Sequence, residues 1–495
     1  MHDANLDEIA SLFNTSSMSV KIKTATIHKI ELKTRMPFKY GIATMTEVPM
    51  IFVRVEIETN EKKSSGIASD LLPPKWFTKA PNEPIENEIA EMLRVIRNAI
   101  QLSVNSEAEN LFALWRLIYD SQTKWAQENS IPTLLAHFGT SLVERAIIEA
   151  TCKHHSQSLG EALLKGSLGF SASSIHPNLK GIPLTKLLPP QPLTKVTARH
   201  TIGLGDVLFE KEISDDDRLD DSLPQSLEQC IRYYKLKQFK IKISGDLEWD
   251  SKRLIEIATV ITKNAEKTFK FSLDGNEQFD SIVAFQNYWM KLSNEKRLTP
   301  FFNHLLFIEQ PLHRDIALES SLMEEFNQWP DRPPVIIDES DSTLKSLPEA
   351  LHIGYSGTSH KNCKGIFKGI ANSCLLENRR QNGLKAVISG EDLCNVGPIA
   401  VIQDLAVMAI LGIESVERNG HHYMAGLSQF PDKTQTQILD AHPKLYSKST
   451  HGWPTLEILN GQIDLSSINN QPFGTGFDLD LSVYEEISIS KNEHY

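Results

Sequence analysis

The pattern of apolar and polar positions in the first part of the chain predicts strands followed by helices. From Ile27 to Glu58, apolar and polar residues alternate as they do in strands with one buried face. Three later segments repeat their apolar residues with the period of an amphipathic helix: Glu86–Gln101, Leu111–Tyr119 and Ser141–Lys153. This order of elements predicts an α+β domain that ends near the proline-rich stretch Ile175–Pro192.

After this stretch, short apolar runs alternate with segments long enough for helices. Each run ends in polar residues or a turn; the runs are KVTARHTIG, FKIKIS, FKFSLDG, LLFIEQP, PVIIDES, HIGYSGTS, AVISGED and ESVERNG. A repeat of buried strand, polar end and helix predicts a parallel β/α barrel, whose strands are buried on both faces. The runs lie between Lys195 and Asn419, a span near the usual barrel size of about 250 residues.

Composition and charge narrow the classes of partner. The net charge of −12 argues against a nucleic-acid partner, which needs a concentrated basic face. No apolar run approaches the roughly 20 residues that span a bilayer, so no membrane partner is expected. The five cysteines form no CxxC pair and are odd in number, which favours a reducing, cytoplasmic location. Residues 1–22 are interpreted as a flexible N-terminal extension without a signal peptide.

Acidic and basic side chains stand at the ends of the predicted barrel strands. Lys240 and Lys242 end the second strand, and carboxylates end the next three: Asp274, Glu309 and Asp338. Because the working residues of parallel barrels lie at the carboxyl ends of the strands, we expect these groups to converge. Three carboxylates on neighbouring strands offer oxygen ligands to a hard divalent cation, Mg²⁺ in the first place and Mn²⁺ as the alternative.

The lysines add a candidate base to this cation site. Lys240 and Lys242 are two residues apart on a strand, so both side chains face the same way. A second ammonium and a metal ion would lower the pKa of a lysine enough for it to act as a base. Such a base can remove the proton beside a carboxylate while the cation stabilises the resulting enediolate. Lys361, after the sixth strand, is the predicted second amine, with His360 and Lys364 as alternatives.

Together these motifs resemble the mandelate racemase/muconate lactonizing branch of the enolase superfamily, over nearly the whole chain after residue 23. MPFKYG and GIASDLLPPKW lie where that branch has its specificity loops, and NGQIDLSSINNQPFGTGFDLD resembles its C-terminal return. The resemblance implies an α/β fold: a modified TIM barrel, (β/α)7β, with an N-terminal α+β capping domain completed by the C-terminal segment. The implied boundaries are 23–185 for the cap, 190–430 for the barrel and 431–495 for the returning segment.

The resemblance also implies roles for individual residues. It implies three metal ligands: Asp274, Glu309 and Asp338. The DES pattern favours Asp338 over Glu339 as the third ligand. Lys242 matches the base, Lys240 would tune it and contact the substrate carboxylate, and Lys361 would be the second acid/base. The seventh strand ends in SGED without a histidine, so the His–Asp dyad of mandelate racemase is not expected.

The implied function is a Mg²⁺-dependent enzyme, a lyase or isomerase, that abstracts the α-proton of a small carboxylate substrate. Racemisation or epimerisation, dehydration and cycloisomerisation remain open, and family members imply a homo-oligomer. Candidate substrate residues lie in the cap loops and at the last strand ends: Lys39, Tyr40, Glu391 and Asn419. Other polar groups there either shape the site or hydrogen-bond to loops: Asp392, Glu417, His421 and His422. Two alternatives are a Schiff-base lysine lyase or aldolase, and a catalytically silent barrel that serves as an interaction module.

Overall fold

The N-terminal part of the chain folds into an antiparallel sheet in the computed structural model, which describes residues 19–490. Its strands are β1 (Val20–Tyr40), β2 (Ala43–Thr59), β3 (Lys62–Leu71) and the short β4 (Glu107–Ala108). β1 pairs with β2 and β4, and β2 pairs with β3. Most of the extension expected at residues 1–22, up to residue 18, lies outside the described residues. The end of that range already belongs to the sheet, since β1 begins at Val20.

The cap has four helices, and the third of them packs on the sheet and against the other three. The helices are α1 (Ile85–Ser103), α2 (Leu111–Glu128), α3 (Thr133–His155) and α4 (Leu159–Leu164). α3 is buried on nearly all sides, from Leu134 to Cys152, because it lies between the sheet and the rest of the molecule. Glycines allow this close packing: a Cβ at Gly139 would overlap the backbone of Val95, and one at Gly66 would overlap that of Ala146.

Eight parallel strands form a closed barrel, as the alternating pattern predicts. They are β5 (Lys195–Ile202), β6 (Gln238–Lys242), β7 (Lys270–Asp274), β8 (Leu305–Glu309), β9 (Val335–Ile337), β10 (Gly357–His360), β11 (Val387–Gly390) and β12 (Ser415–Glu417). Parallel pairing of β12 with β5 closes the ring. The fold class is therefore confirmed. The sixth strand differs most in extent, since His352 and Ile353 end a helix instead of opening the strand.

Helices connect the barrel strands on the outside. They are α5 (Leu227–Tyr234), α6 (Leu247–Asn264), α7 (Ile282–Ser293), α8 (Thr299–Phe302), α9 (Leu322–Asn327), α10 (Ser346–Ile353), α11 (Ile366–Gln381), α12 (Ala400–Leu411) and the short α13 (Gly420–Tyr423). α12 is completely buried and mainly apolar, since it lies between the barrel and the cap sheet. The end of the barrel at which the strands finish, called the barrel mouth below, faces the cap.

The C-terminal segment contacts both parts of the molecule. It contains α14 (Asp432–Ala441), the hairpin of β13 (Tyr446–Lys448) and β14 (Pro454–Leu456), then β15 (Gln462–Asp464) and β16 (Glu485–Ile487). β15 pairs antiparallel with β5, and β16 pairs antiparallel with β1 of the cap sheet. The cap and the barrel thus share strands from one segment.

The five cysteines are all free and buried. Within residues 19–490, none of the helices is both long enough and apolar enough to cross a bilayer.

Candidate active site

Charged side chains from neighbouring strands converge at the barrel mouth. Lys242, Asp274 and Glu309 lie opposite one another in the register of β6, β7 and β8. Asp338 directly follows β9, and Lys361 directly follows β10. All five are less than 9% exposed, although charged groups are seldom buried unless they are paired. The sequence-based expectation that these residues meet at one site agrees with their placement. Below, "mouth cluster" denotes a set of seven: Lys240, Lys242, Asp274, Glu309, Asp338, Lys361 and Glu391.

Lys240 is the most heavily paired member of the mouth cluster. Its ammonium lies within 3.0 Å of four carboxylates: Asp274, Glu309, Glu391 and Glu417. Burial alone would lower the pKa of Lys240, but these carboxylates raise it well above its usual range. Lys240 therefore stays charged and balances the acidic groups around it.

Lys242 and Lys361 have fewer partners. Both line a cavity that lies at the barrel mouth, under the cap. Lys242 Nζ contacts Asp274 Oδ2 at 2.6 Å. Lys361 Nζ lies 2.7 Å from Asp338 Oδ2, 2.8 Å from Glu391 Oε2 and 5.2 Å from the centre of the Trp76 ring. Burial lowers the pKa of Lys361, but Asp338 and Glu391 outweigh it and raise the pKa well above its usual range. The lowering of the pKa that a second ammonium was expected to cause in the pair Lys240 and Lys242 is outweighed at Lys240 by the surrounding carboxylates.

The acidic members of the mouth cluster fit a divalent cation. Carboxylate oxygens of Glu309, Asp338 and Glu391 all lie within 4.8 Å of one another. Both oxygens of Glu309 are buried, and among the described residues neither accepts a hydrogen bond of good geometry, although Oε2 lies 2.9 Å from the Lys240 ammonium. An ionised carboxylate can only accept, and leaving it unsatisfied in the interior is costly. Oxygen donors of this kind suit Mg²⁺.

Glu391 takes a more central position than the sequence analysis gave it. It was a candidate substrate residue, yet it belongs to the carboxylate group that could hold the cation, together with two predicted ligands. Asp274 is not in that group, although its Oδ2 lies 3.0 Å from the Lys240 ammonium that Glu309 also contacts. Burial raises the pKa of Glu391, but Lys240, Lys361 and Arg199 hold it well below its usual range. Asp274 stays a predicted ligand, and Glu391 joins the candidates.

Two residues that position the mouth cluster escaped the sequence analysis. Arg199 on β5 donates to Glu391 Oε1 at 3.1 Å and is 1% exposed. Gln310 accepts from the backbone N–H groups of Asp338 and Ser340 through Oε1, at 2.7 and 3.2 Å. A charged residue inside an otherwise buried strand, as in KVTARHTIG, was the available signal for Arg199. For Gln310, the available signal was its position next to the candidate ligand Glu309 in FIEQP.

The three alternatives after the sixth strand have separate environments. Lys361 lines the cavity. Lys364 lies behind Asp338, with Nζ 2.6 Å from Oδ1, and Lys368 pairs with Asp341 at 3.0 Å. Lys364 and Lys368 do not form a solvated helix face, since both are at most 4% exposed. His360 packs against Gly369 of α11, and burial lowers its pKa to about 4.

The cap contributes an apolar wall to the cavity at the barrel mouth. Its lining includes Phe38, Tyr40, Met45 and Trp76. The Tyr40 hydroxyl donates to the carbonyl of Pro74 at 2.8 Å. The expectation that Lys39 binds the substrate is not supported, because side chains alternate along a strand and Lys39 is exposed between Phe38 and Tyr40.

The last strand ends supply polar lining residues, but their histidines turn away. Asp392, Glu417 and Asn419 line the cavity, and Asn419 fixes the loop by accepting from Thr201 N at 3.0 Å and donating to Glu417 at 2.9 Å. His421 and His422 lie outside this cavity lining. Burial raises the pKa of Asp392 to about 7 against the effect of its ion-pair partner Arg418.

Comparison with solved structures identifies proteins with the same architecture. Muconate lactonizing enzyme from Pseudomonas fluorescens is 16% identical, with 93% of this chain and 97% of that chain covered and a TM-score of 0.58. The 2-chloromuconate cycloisomerase from Rhodococcus opacus is 13% identical, with 94% and 99% covered and a TM-score of 0.58. A dipeptide epimerase from Enterococcus faecalis, complexed with Mg and a dipeptide, is 15% identical, with 92% and 99% covered and a TM-score of 0.55.

No protein-family model matches the sequence, and no curated protein matches it. At these identities the structural likeness establishes the fold. The chain therefore shares the fold of the mandelate racemase/muconate lactonizing branch of the enolase superfamily.

Proposed function

We propose that this protein is a divalent-metal-dependent isomerase or lyase that removes the proton beside the carboxylate of a small substrate. The observation that carries the proposal is the mouth cluster itself: buried carboxylates that share a small volume, next to two lysines that line the same cavity. The fold is that of a muconate lactonizing enzyme and of epimerases, which supports the same class of chemistry. The sharing of a fold alone would not be enough, since function depends on the site.

The two cavity lysines are suited to act on opposite faces of a substrate. Lys242 is on β6 and Lys361 follows β10, and these strands are four apart in the ring of eight. Among the described residues, Lys242 has a single carboxylate contact, Asp274, so it is the better candidate for taking the proton. Lys361 would return a proton on the other face in an epimerisation, or protonate a leaving group in an elimination.

The remaining groups hold charge and geometry. A bound divalent cation would neutralise the substrate carboxylate and the negative charge that develops when the proton leaves. Glu309, Asp338 and Glu391 or Asp274 would hold that cation. Lys240 would keep a fixed positive charge beside them, and the apolar cap wall would exclude water, which strengthens each of these interactions.

The lining also restricts the substrate. Among the described residues that line the cavity, the cationic side chains are Lys240, Lys242 and Lys361, and each already contacts a carboxylate. The cap wall is apolar. We infer a substrate with one carboxylate and a compact, mainly apolar remainder, because a second carboxylate would lack a counter-charge.

Hydrogen–deuterium exchange tests this function. The protein with Mg²⁺ is incubated in D₂O with acid sugars, dipeptides, N-acyl amino acids and mono- and dicarboxylates, and α-deuteration is read by mass. We expect exchange with the apolar monocarboxylates, a fall of at least about 100-fold in Lys242→Ala for the enantiomer whose α-proton faces Lys242 and in Lys361→Ala for the opposite enantiomer, and no change in Lys252→Ala. Lys252 is a matched control, since it is exposed and pairs with Glu248. Exchange in Lys242→Ala at the wild-type rate would exclude it as the base.

A Schiff-base lysine mechanism is the second candidate, and the carboxylates of the mouth cluster disfavour it. A Schiff base forms from a lysine amine alone, so that mechanism gives no role to the buried carboxylate oxygens of Glu309, Asp338 and Glu391, which lie within 4.8 Å of one another. That mechanism predicts activity that survives a chelator and a protein–substrate adduct that borohydride traps. We expect neither.

A further inference from the structure

A second buried group of potential ligands lies on the outside of the barrel. It consists of His200 on β5, Cys230 on α5 and His422 on α13, called the outer cluster below. Side chains alternate along β5: Arg199 and Thr201 point into the barrel and bond to Glu391 and Glu417. His200 therefore points outward. The outer cluster is thus separate from the mouth cluster, although both contact the same strand.

The donor atoms of the outer cluster lie close together, and one of them, His200 Nδ1, has no hydrogen-bond partner among the described residues. One donor atom from each residue lies within 4.8 Å of the other two. Cys230 Sγ is 3.5 Å from His422 Nδ1, and the rings of His200 and His422 are 5.0 Å apart. His200 is 2% exposed, and its Nδ1 has no hydrogen-bond partner. An unpaired imidazole nitrogen in the interior costs free energy, which a bound ion would recover.

The spacing fits a tetrahedral zinc site. With Zn–S of about 2.3 Å and Zn–N of about 2.0 Å, sulfur and nitrogen ligands lie about 3.5 Å apart, as Cys230 and His422 do. The other donors need to approach by about 1 Å, which small side-chain rotations supply. His421 is a further donor beside the cluster: both its ring nitrogens are buried without a partner, and its ring is 6.1 Å from that of His200.

Local charge does not oppose a cation. Arg35 reaches this region, since its Nη1 donates to the His422 carbonyl at 2.8 Å. Its charge is balanced by a bidentate pair with Asp221. A second carboxylate, Asp206, accepts from the Tyr423 hydroxyl at 2.7 Å. The thiolate that would form at Cys230 would therefore meet a bound cation in a region of nearly balanced charge.

We propose that His200, Cys230 and His422 form a structural metal site for a borderline-soft divalent ion, Zn²⁺ above all, distinct from the oxygen-donor site at the barrel mouth. Imidazole and thiolate ligands select such an ion over Mg²⁺. The site would join the first barrel strand, the first barrel helix and the loop that follows the last strand. That loop carries Asn419 of the cavity and Tyr423, which stacks on Phe38 of the cap at 4.1 Å. The metal would thus hold the cap wall against the seam at which the barrel closes.

Cobalt spectroscopy distinguishes the two sites. Metal-free full-length protein is first saturated with Mg²⁺ and then titrated with Co²⁺. We expect a thiolate-to-cobalt charge-transfer band at one Co²⁺ per chain, which Zn²⁺ abolishes. Oxygen ligands at the barrel mouth cannot produce this band. Cys230→Ser should lose it, whereas Cys374→Ser, a buried cysteine of α11 outside the cluster, should retain it. A band of equal intensity in Cys230→Ser would overturn the proposal.

X-ray absorption of the wild-type protein loaded with zinc gives a test that needs no variant to fold. We expect one sulfur at about 2.3 Å and nitrogens at about 2.0 Å from the ion. A shell of oxygen and nitrogen without sulfur would overturn the assignment. Neither test uses the reaction, so the outcome is independent of the proposed function.

Discussion

The two faces of β5 present different chemistry within a few ångströms of each other. On the inner face, Arg199 belongs to a network in which each ammonium lies within 3 Å of a carboxylate. On the outer face, His200 meets an imidazole and a thiol, with no carboxylate in the group. Both clusters are buried. Ligand type sorts metal ions more reliably than affinity does, so one strand can separate a hard-ion site from a soft-ion site.

The largest expected effect is that of a substitution in the mouth cluster, which lies on the inner side of the barrel. Glu309→Gln keeps the side-chain shape but removes a charge at the centre of the carboxylate group. We expect Mg²⁺ affinity and α-proton exchange to fall by more than the roughly 100-fold that changes behind a ligand cost, while thiolate–cobalt binding at the outer cluster is unchanged. Titration calorimetry and the exchange assay measure this. Glu349→Gln, at an exposed position of α10, is the control, and unchanged Mg²⁺ binding in Glu309→Gln would contradict the assignment.

Arg199→Met tests the charge balance of the inner face through stability. Removing one member of a buried ion pair leaves the other charge uncompensated, which costs about 3–5 kcal/mol. Glu391 would lose its Arg199 contact at 3.1 Å. We expect the free energy of unfolding to fall by this amount in urea titrations, compared with no measurable loss in Arg297→Gln, whose side chain is 68% exposed. A loss below about 1 kcal/mol would mean that Lys240 and Lys361 suffice.

Gln310→Met examines a positioning residue behind the inner cluster. Methionine fills a similar volume but cannot accept from the Asp338 and Ser340 backbone N–H groups. We expect Mg²⁺ affinity to fall about 10–100-fold, with KM for the substrate rising less than Mg²⁺ affinity falls. Gln328→Met, at an exposed position, serves as the control. A general loss of stability without a change in Mg²⁺ affinity would indicate a purely structural role.

The smallest expected effect is the pH dependence of stability that comes from His137, a buried histidine outside both clusters. It serves as a reference for the titration of a buried imidazole. His137 stacks on Tyr119 at 3.7 Å, and burial, followed by the charge of Lys368, lowers its pKa from 6.5 to about 3. Between these values the unfolded chain binds a proton that the folded protein does not. Stability is therefore complete above pH 6.5 and falls as the pH drops toward 3, by at most ~1.4 kcal/mol per pH unit from this residue.

Urea titrations of metal-free protein at several pH values measure this slope. His137→Gln should have a shallower slope than wild type below pH 6.5. Equal slopes would show that His137 titrates normally in the folded state.

The strand ends were predictable from the sequence because parallel barrels bring consecutive elements to the same edge. Asp274, Glu309 and Asp338 each follow an apolar run, and local patterning sufficed to place them at the barrel mouth. Lys361 directly follows β10 in spite of the misjudged start of that strand, since the end of the strand and not its start fixes the position of the residue.

Other features depend on contacts that no local pattern encodes. The outer cluster joins His200, Cys230 and His422 where the last barrel strand pairs with the first. In sequence, His200 and His422 are separated by more than half of the residues of the barrel. Lys39 is exposed because side chains alternate between the two faces of β1. The sequence analysis treated MPFKYG as a loop, and a loop has no such alternation from which to predict the exposure. The central role of Glu391 follows from its contacts with Arg199, Lys240 and Lys361, none of them near it in sequence.

The pairing of β16 with β1 makes the cap a product of both ends of the described chain. Ile27 finds its partner Ile487 only after every barrel strand has been synthesised. The edge of the cap sheet at β1 therefore remains open to other strands during translation, when unpaired edges are prone to association. A fragment that stops after the barrel would keep all members of both clusters and still expose that edge. Expression of the cap alone would face the same hazard, so the two parts are best studied as one chain.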